Sequence, residues 1–405
     1  MFNYGFNLGI YAEQLKLFKS GLLSLLSPST VSVSPGAIAD TSVATAGSAG
    51  MALDDINNTA TVVDGSNSLV YGYNINSDGT FQLAGSISTN GLYPGRISIS
   101  PNGNNAYIST TSGAAGVECY SRNTGNGTVS LLGIILGYHA NTQIVVISPN
   151  NDFMYISDAG TGYIYTYSGI DTNATLINSI SVGSGATGIT ISPDGLSVYV
   201  TNSSNNTVPE YSRNTSTGVL TFIGNVNTGV GPQVISISPD SNNAYVCVAG
   251  TNTLSEYSRN TSTGLLTSIG TIATDINPYG IAISPDGLSV YVSNWSGNNI
   301  SEYSRNTSTG LLSVLQQYVN ATISTNITLT AMVISTDNLS LYTTNSGSNN
   351  ISEFSINTST GLLSNLSTST ITTGSIPSAI VMSIDNNNVY VTNSNSSSIS
   401  QYLRS

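Results

Sequence analysis

The chain has 405 residues, of which 39% are hydrophobic and only 7% are charged, and its net charge is −12. This hydrophobic content is enough to form a buried core, which argues against a disordered chain. The eight basic residues are scattered, so the clusters of Lys and Arg that bind nucleic acid or anionic membranes are absent. We therefore expect no nucleic-acid partner and, because no apolar run is long enough, no membrane span.

Residues 1–18 are predicted to form a separate N-terminal segment. The first 26 residues lack the basic start and continuous apolar run of a usual signal peptide. Five apolar residues alternate with Asn or Gly, which predicts a strand with one apolar face; they are Phe2, Tyr4, Phe6, Leu8 and Ile10. Such a strand can cap the domain that follows, or it can pair with a neighbouring subunit as an assembly element.

The remaining residues, 19–405, contain one unit repeated eight times. Ile191–Asn202 and Ile283–Asn294 are nearly identical, and both contain Ser-Pro-Asp-Gly. Further copies begin near Met51, Ile97, Ile147, Ile235, Ile334 and Met382. An aromatic residue recurs once in each copy, at intervals of 44 to 51 residues: Tyr73, Tyr120, Tyr167, Tyr211, Tyr257, Tyr303, Phe354 and Tyr402. Self-similarity at this period indicates a repeat architecture.

Each copy is predicted to form four short strands. In the sixth copy they are residues 281–284, 289–293, 300–304 and 311–315. Pro285-Asp286-Gly287 separates the first two, because proline sets φ and glycine tolerates positive φ. Four strands repeated at this period are typical of a propeller blade. We predict an all-β chain forming a single β-propeller of eight four-stranded blades, with seven blades as the alternative if one copy lies outside the ring.

The ring is predicted to close through the N-terminus. The last copy ends at Ser405 after three strands, so its fourth strand must come from elsewhere. Residues 19–26, Lys-Ser-Gly-Leu-Leu-Ser-Leu-Leu, match the fourth strand of other copies. We therefore expect an N-terminal strand to join the C-terminal blade, which leaves the strand in residues 1–11 surplus to the ring.

Few residues are suited to acid–base or metal chemistry. His139 is the only histidine, and Cys119 and Cys247 fall on different strands of the repeat, which favours buried thiols over a disulfide. Charged residues recur in the repeat: Glu210, Glu256, Glu302, Glu353, Arg122, Arg213, Arg259, Arg305 and Arg404. Recurrence indicates scaffold, since an active site is one asymmetric cluster. We predict no catalytic residue, cofactor or metal site, and no effect of His139→Ala.

Asn-x-Ser/Thr sequons recur at two places in the repeat. Those in the hairpin between strands three and four are Asn214, Asn260, Asn306 and Asn357, and those in the loop at the other end of the blade are Asn202, Asn205 and Asn294. Both places are rich in turn residues, where N-glycans attach. We predict a glycosylated extracellular or cell-surface protein, whose partners are further copies of itself, other surface proteins or glycans.

The motif Ser-Pro-Asp-Gly-x-x-Val-Tyr-Val-Thr-Asn, with Tyr-Ser-Arg-Asn-Thr-Ser-Thr-Gly downstream, resembles the Tyr-Val-Thr-Asn propeller repeats of archaeal and bacterial surface proteins. It also resembles lactonase-type propellers, including 6-phosphogluconolactonases. The likeness runs from about residue 10 to 405. It implies a propeller, usually of seven blades, and no catalytic motif carries over.

From these patterns we predict a structural or binding module of the cell surface, such as a subunit of a filament or lattice, and not an enzyme. The scarcity of charged residues is the main argument. The first alternative is a lactonase-like hydrolase acting in the channel mouth. The second is a carbohydrate-binding adhesin that uses exposed Tyr and Asn.

Overall fold

The computed structural model describes residues 33–35, 48–54, 57–113, 115–137, 143–171, 174–320, 329–396 and 398–404. Within these ranges 32 strands form eight antiparallel sheets of four strands each. None of the described residues belongs to a helix that could cross a membrane. The predicted all-β propeller of eight four-stranded blades is confirmed.

The first four blades follow each other along the chain. Blade 1 contains β2 (Ser48–Asp54), β3 (Thr59–Asp64), β4 (Leu69–Ile75) and β5 (Phe81–Ser88). Blade 2 contains β6 (Gly91–Ile99), β7 (Asn105–Gly113), β8 (Ala115–Arg122) and β9 (Val129–Gly137). Blade 3 contains β10 (Gln143–Ile147), β11 (Phe153–Asp158), β12 (Tyr163–Ser168) and β13 (Thr175–Ser181). Blade 4 contains β14 (Ala186–Ile191), β15 (Ser197–Asn202), β16 (Thr207–Arg213) and β17 (Leu220–Asn227).

The other four blades complete the ring. Blade 5 contains β18 (Pro232–Ile237), β19 (Asn243–Val248), β20 (Thr253–Arg259) and β21 (Leu266–Ala273). Blade 6 contains β22 (Pro278–Ile283), β23 (Ser289–Asn294), β24 (Asn299–Arg305) and β25 (Leu312–Asn320). Blade 7 contains β26 (Leu329–Ile334), β27 (Ser340–Asn345), β28 (Asn350–Ile356) and β29 (Leu363–Thr372). Blade 8 contains β30 (Pro377–Met382), β31 (Asn388–Asn393), β32 (Ser398–Arg404) and the N-terminal β1 (Val33–Pro35).

The first strand of each blade lies at the centre of the ring. Each of these strands contacts the first strands of the two adjacent blades, and β2 contacts both β6 and β30. Together they surround a central channel. We call its upper mouth the end at which the first strands begin and the loops between second and third strands lie.

An N-terminal strand joins the C-terminal blade, as predicted. β1 pairs with β32 in antiparallel register, with Val33 opposite Arg404 and Pro35 opposite Tyr402. The outer strand of blade 8 is therefore formed by residues 33–35, which follow the predicted residues 19–26 in the chain. Residues 19–26, like the N-terminal segment 1–18, lie outside the described residues.

Apolar side chains hold adjacent blades together. Seven second strands are buried along their whole length because both faces of the blade pack against neighbours. One cluster of buried apolar residues lies at each of the eight junctions. The cluster between blades 8 and 1 stacks Phe81 on Tyr390, with ring centroids 4.5 Å apart. This packing seals the ring.

Candidate functional site at the channel mouth

The recurring arginines and tyrosines fasten each blade to the one before it. Arg259 of blade 5 donates from Nε to the Tyr199 hydroxyl of blade 4 at 2.7 Å. Its two Nη atoms donate to Asp194 of blade 4, at 2.6 and 3.1 Å. Tyr199 donates in turn to the carbonyl of Gly264, whose φ of +83° favours glycine. The arginines with equivalent interblade bonds are Arg122, Arg213, Arg305 and Arg404.

The recurring glutamates lie at the same junctions. Glu210 accepts a hydrogen bond from the Leu266 N–H of the next blade at 3.2 Å, and Glu302 accepts one from the Leu363 N–H at 2.9 Å. Glu256 has the equivalent contact. Burial raises the pKa of Glu210 and of Glu302 to about 7. These acids therefore belong to the contacts between blades and not to the channel.

A β-bulge interrupts most first strands close to the upper mouth. Register shifts occur there in seven of the eight described pairs of first and second strands. A bulge re-aims a side chain out of the regular alternation. In blades 4 and 8 the bulge positions hold small residues, namely Thr187, Gly188, Ser378 and Ala379. Larger side chains occur at three places: Gln233 in the bulge of blade 5, Tyr279 in the bulge of blade 6, and Arg96 directly after the bulge of blade 2.

Arg96 differs from the other five arginines, all of which are in the junctions. Its side chain is half-buried, and its Nε, like that of Arg404, has no hydrogen-bond partner among the described residues. Unlike Arg404, it has no described ion pair. Desolvation lowers the pKa of Arg96, and Tyr279 opposes that shift as the only described titratable group acting on it. The side chain stays cationic at neutral pH because arginine has so high a pKa. Blades 2 and 6 are opposite in a ring of eight, so Arg96 and Tyr279 start from opposite sides of the upper mouth.

Tyr279 forms an aromatic pair with Trp295, the only tryptophan of the chain. The ring centroids are 5.4 Å apart and the planes are inclined at 72°, an edge-to-face arrangement. The backbone N–H of Trp295 donates to the Asn277 carbonyl at 2.9 Å, which holds the loop after β23 against the start of β22. Burial raises the pKa of Tyr279, although Arg96 opposes the shift, so the hydroxyl remains a hydrogen-bond donor. We call Arg96, Tyr279 and Trp295 the mouth cluster.

Sequence reasoning missed the mouth cluster because it followed what the copies share. The signal was available in the residues that break the repeat. At the position of Trp295 the other copies have small residues, such as Ser203, Ala249 and Ser394. Trp295 and Arg96 occur once each, at two different positions of the repeat, and such asymmetry is the feature to look for in a candidate site.

Two open grooves lie elsewhere, on the outer strands of blades 3 and 4. Their volumes are about 400 and 690 Å³. The first is lined by Tyr211 and Phe222 among others, and the second by Asp152 and Asp171. Neither contains a cationic side chain. Among the described residues no group of three or more His, Cys, Asp or Glu is placed to hold a metal ion.

The structure separates the candidate sequons into two sets. Asn202 and Asn294 are fully buried, and the Asn294 amide donates to Asn299 Oδ1 at 2.7 Å. The exposed candidates are Asn205, Asn214, Asn260, Asn306 and Asn357. Glycosylation stays a prediction, and it now concerns the exposed set.

Of the remaining candidates from the sequence, the two cysteines are among the described residues and the others are not. Cys119 and Cys247 are free and buried, as predicted, and burial raises the pKa of both thiols. His139 lies outside the described residues. So do the five assembly candidates, Phe2, Tyr4, Phe6, Leu8 and Ile10.

A closed ring of eight four-stranded antiparallel blades defines a β-propeller. Residues 139–329 and 318–405, together about two thirds of the chain, match the family described as "Lactonase, 7-bladed beta-propeller". The chain belongs to this family. It departs from the description in having eight blades, and blades 1 and 2 precede the matched residues.

Solved structures support the fold. A putative 6-phosphogluconolactonase from Bacteroides uniformis is 18% identical, with a TM-score of 0.60, covering 79% of this chain and 93% of that chain. The periplasmic gluconolactonase PpgL of Pseudomonas aeruginosa is 14% identical, with a TM-score of 0.61 and coverage of 76% and 93%. Sqt1 from Chaetomium thermophilum is 10% identical, with a TM-score of 0.69 and coverage of 92% and 99%. A comparison with curated proteins by sequence finds no match.

The family match corrects our functional prediction. We predicted a structural module of the cell surface and no enzyme, but the matched family is one of lactonases. The prediction was wrong because the scarcity of charged residues was read as a lack of chemistry. The hydrolase alternative fits the family, and the adhesin alternative does not.

Proposed function

We propose that the protein hydrolyses a sugar lactone at the upper mouth of its channel. The observation that carries this proposal is the mouth cluster, in which the half-buried Arg96 lies on the blade opposite the Tyr279–Trp295 pair in a lactonase-family propeller. The neighbours named as 6-phosphogluconolactonase and gluconolactonase act, by their names, on sugar lactones. The same class of substrate suits a site that combines hydrogen-bond donors with an aromatic wall.

Each residue of the mouth cluster has a separate part in this reaction. Water adds to the lactone carbonyl, the ring C–O bond breaks, and a hydroxy acid is released. Negative charge develops on the carbonyl oxygen as water adds, and a hydrogen-bond donor placed there lowers the barrier. The Tyr279 hydroxyl supplies that donor, Trp295 packs on the apolar C–H face of the sugar, and Arg96 holds the substrate from the opposite wall.

Hydrolysis of glucono-1,5-lactone and 6-phosphogluconolactone, followed as acid release above the spontaneous rate, tests the proposal. We expect Tyr279→Phe to lower kcat by about 10²- to 10³-fold, the usual effect of losing such a donor. Ser378→Ala, in the bulge of blade 8, is the matched control and keeps full activity. The same assay with His139→Ala determines whether the single histidine activates the water. Wild-type rates equal to the spontaneous rate for every lactone would refute the proposal.

The extracellular location and the glycans remain proposals of their own. Their support is the exposure of the hairpin asparagines, for example Asn214, whose Oδ1 accepts hydrogen bonds from Ser216 and Thr217 while the side chain stays exposed. Glycopeptide mass spectrometry on material from the native source tests them. Hexose mass on the hairpin peptides supports this location, and unmodified peptides at all exposed sequons contradict it.

A further inference from the structure

A groove on the outside of the ring lies between blades 3 and 4. Its volume is about 400 Å³, at the lower end of the range for small-molecule pockets. The end of β13 forms one wall through Ile180, Ser181 and Val182, and the third and fourth strands of blade 4 form the other. We call it the outer groove, because it lies away from the first strands that surround the channel.

Tyr211 lines the outer groove without the hydrogen bond that its counterparts make. In blades 5, 6 and 8 the equivalent tyrosine donates to the carbonyl of the last residue in the fourth strand of the preceding blade: Tyr257 to Asn227 at 2.8 Å, Tyr303 to Ala273 at 2.6 Å, and Tyr402 to Thr372 at 2.7 Å. The Tyr211 hydroxyl makes no hydrogen bond with any described residue, and burial alone raises its pKa to about 12. Tyr73 also has a hydroxyl without a described partner, but this residue is enclosed in the cluster between blades 8 and 1. A buried hydroxyl without a partner is unfavourable, so Tyr211 offers the groove a donor that a ligand can use.

Two further residues of the outer groove depart from the repeat. Phe222 lies opposite Tyr211, where the other blades have smaller or aliphatic residues opposite the aromatic column, namely Leu83, Leu131, Leu176, Ser268, Val314 and Asn365. Phe222 is 58% exposed and meets Tyr211 edge to face, with ring centroids 5.8 Å apart. Pro209 stands where four other copies have serine, and it has no N–H for the strand ladder. Three departures from the repeat therefore meet in one groove.

The rim of the outer groove is polar but uncharged. Ser181, Asn205 and Asn225 are exposed there, and none of the described lining residues carries a charge. An aromatic wall packs on apolar C–H groups, and amides and hydroxyls exchange hydrogen bonds with other hydroxyls. A neutral sugar has both features in one ring. An anion would find no cation in this groove, on a chain whose net charge is −12.

We propose that the outer groove is an accessory binding site for a neutral mono- or disaccharide. The sugar packs one face on Phe222 and accepts a hydrogen bond from the Tyr211 hydroxyl, while Asn205 and Asn225 bind its hydroxyls at the rim. This proposal goes beyond the lactone hydrolysis and does not depend on it, because the outer groove and the mouth cluster share no residue. Binding at the groove leaves the channel free for a substrate.

Saturation-transfer NMR and isothermal calorimetry on the purified full chain test the site. The probes are cellobiose, maltose, methyl β-glucoside and its anionic counterpart methyl β-glucuronide. We expect the neutral sugars to bind more tightly than the glucuronide. Phe222→Ser introduces the residue that blade 5 has at this position, and it should weaken disaccharide binding about tenfold, the upper value for one aromatic contact. Because Phe222 is exposed, this variant should keep the fold and the rate of lactone hydrolysis.

Tyr211→Phe is the second variant, since it removes only the hydroxyl. It should weaken disaccharide binding about threefold to tenfold, as the loss of one hydrogen bond predicts, with little change in stability. Tyr257→Phe is the matched control. Its hydroxyl already donates to the Asn227 carbonyl, so this variant should lose stability and keep sugar binding.

The outcomes separate this site from the proposed hydrolase. No binding of a neutral sugar, tighter binding of the glucuronide, or binding that Phe222→Ser and Tyr211→Phe leave unchanged would overturn the accessory site. Binding of an uncharged proline-rich peptide in place of the sugars would overturn it as well. Weaker sugar binding in both variants with unchanged lactone hydrolysis would support it. The same weakening in a protein that hydrolyses no lactone would also support it, and would overturn only the hydrolase.

Discussion

The blade junctions and the channel mouth use arginine and tyrosine in opposite ways. At a junction, Arg259 is buried and satisfied by Tyr199 and Asp194 of the preceding blade. At the mouth, Arg96 is half-buried and has an Nε without a described partner. The same side chain stabilises the fold where its partners are internal and is available for a ligand where they are not. Four substitutions or conditions test this contrast, ordered by the expected change in the free energy of unfolding.

The largest effect is expected from Arg259→Ala. The substitution leaves the buried Tyr199 hydroxyl without its donor and Asp194 without its cation. Breaking a buried ion pair on one side costs about 3–5 kcal/mol. Denaturant unfolding of the purified protein measures the loss. Arg259→Lys is the control, because lysine keeps the positive charge but lacks the planar guanidinium group with its several donors. A loss below 1 kcal/mol would show that the junction arginines are not the scaffold elements described above.

The junctions could be predicted from the sequence, and the mouth cluster could not. Arg259, Tyr199 and Asp194 recur at fixed offsets in several copies, so periodicity alone marks them as scaffold. Arg96 and Tyr279 occur once each at their positions, and they are about 180 residues apart in the chain. Only ring closure with eight blades makes blades 2 and 6 opposite, and a bulge that re-aims a side chain leaves no pattern in the sequence.

The second effect is a pH dependence that originates in the junctions. Burial raises the pKa of Glu210 and of Glu302 to about 7 in the folded protein, above the ordinary value of 4.5. Between these values the folded state binds more protons than the unfolded state, so stability increases as the pH falls. We expect a gain on the order of 2 kcal/mol from pH 8 to pH 5.5 for the two groups, allowing for solvent screening.

At lower pH the direction reverses. Burial acts to raise the pKa of Asp194, but hydrogen bonds from Arg259 and Ser192 outweigh it and lower the value. Stability from this group is present at neutral pH and is lost as the pH falls below about 4. Urea titrations at several pH values locate the maximum, and Glu302→Gln should remove about half of the gain between pH 8 and 5.5. A stability that is constant or falls over that interval contradicts the prediction.

The third effect concerns backbone strain beside the channel. Ile376 precedes the first strand of blade 8 with a φ of +54°, where the equivalent positions hold Gly231 and Asn277. A β-branched residue in this conformation costs about 1–2 kcal/mol. Ile376→Gly should therefore raise the free energy of unfolding by about 1 kcal/mol. Ile276→Gly is the control: Ile276 is also exposed at an upper-mouth loop but has no positive φ, so its glycine variant should be no more stable than wild type.

The smallest effect on stability is expected from Arg96→Gln, which makes it the sharpest test of the contrast with Arg259. Arg96 provides no interblade bond, and its desolvation is not offset by a described carboxylate. Replacing it removes an unfavourable buried charge together with little favourable contact, so the free energy of unfolding should change by less than about 0.5 kcal/mol or rise slightly. Denaturant unfolding beside Arg259→Ala measures the difference between the two arginines. A loss of several kcal/mol would place Arg96 among the scaffold residues, whereas unchanged stability with slower lactone hydrolysis would assign it to the proposed site.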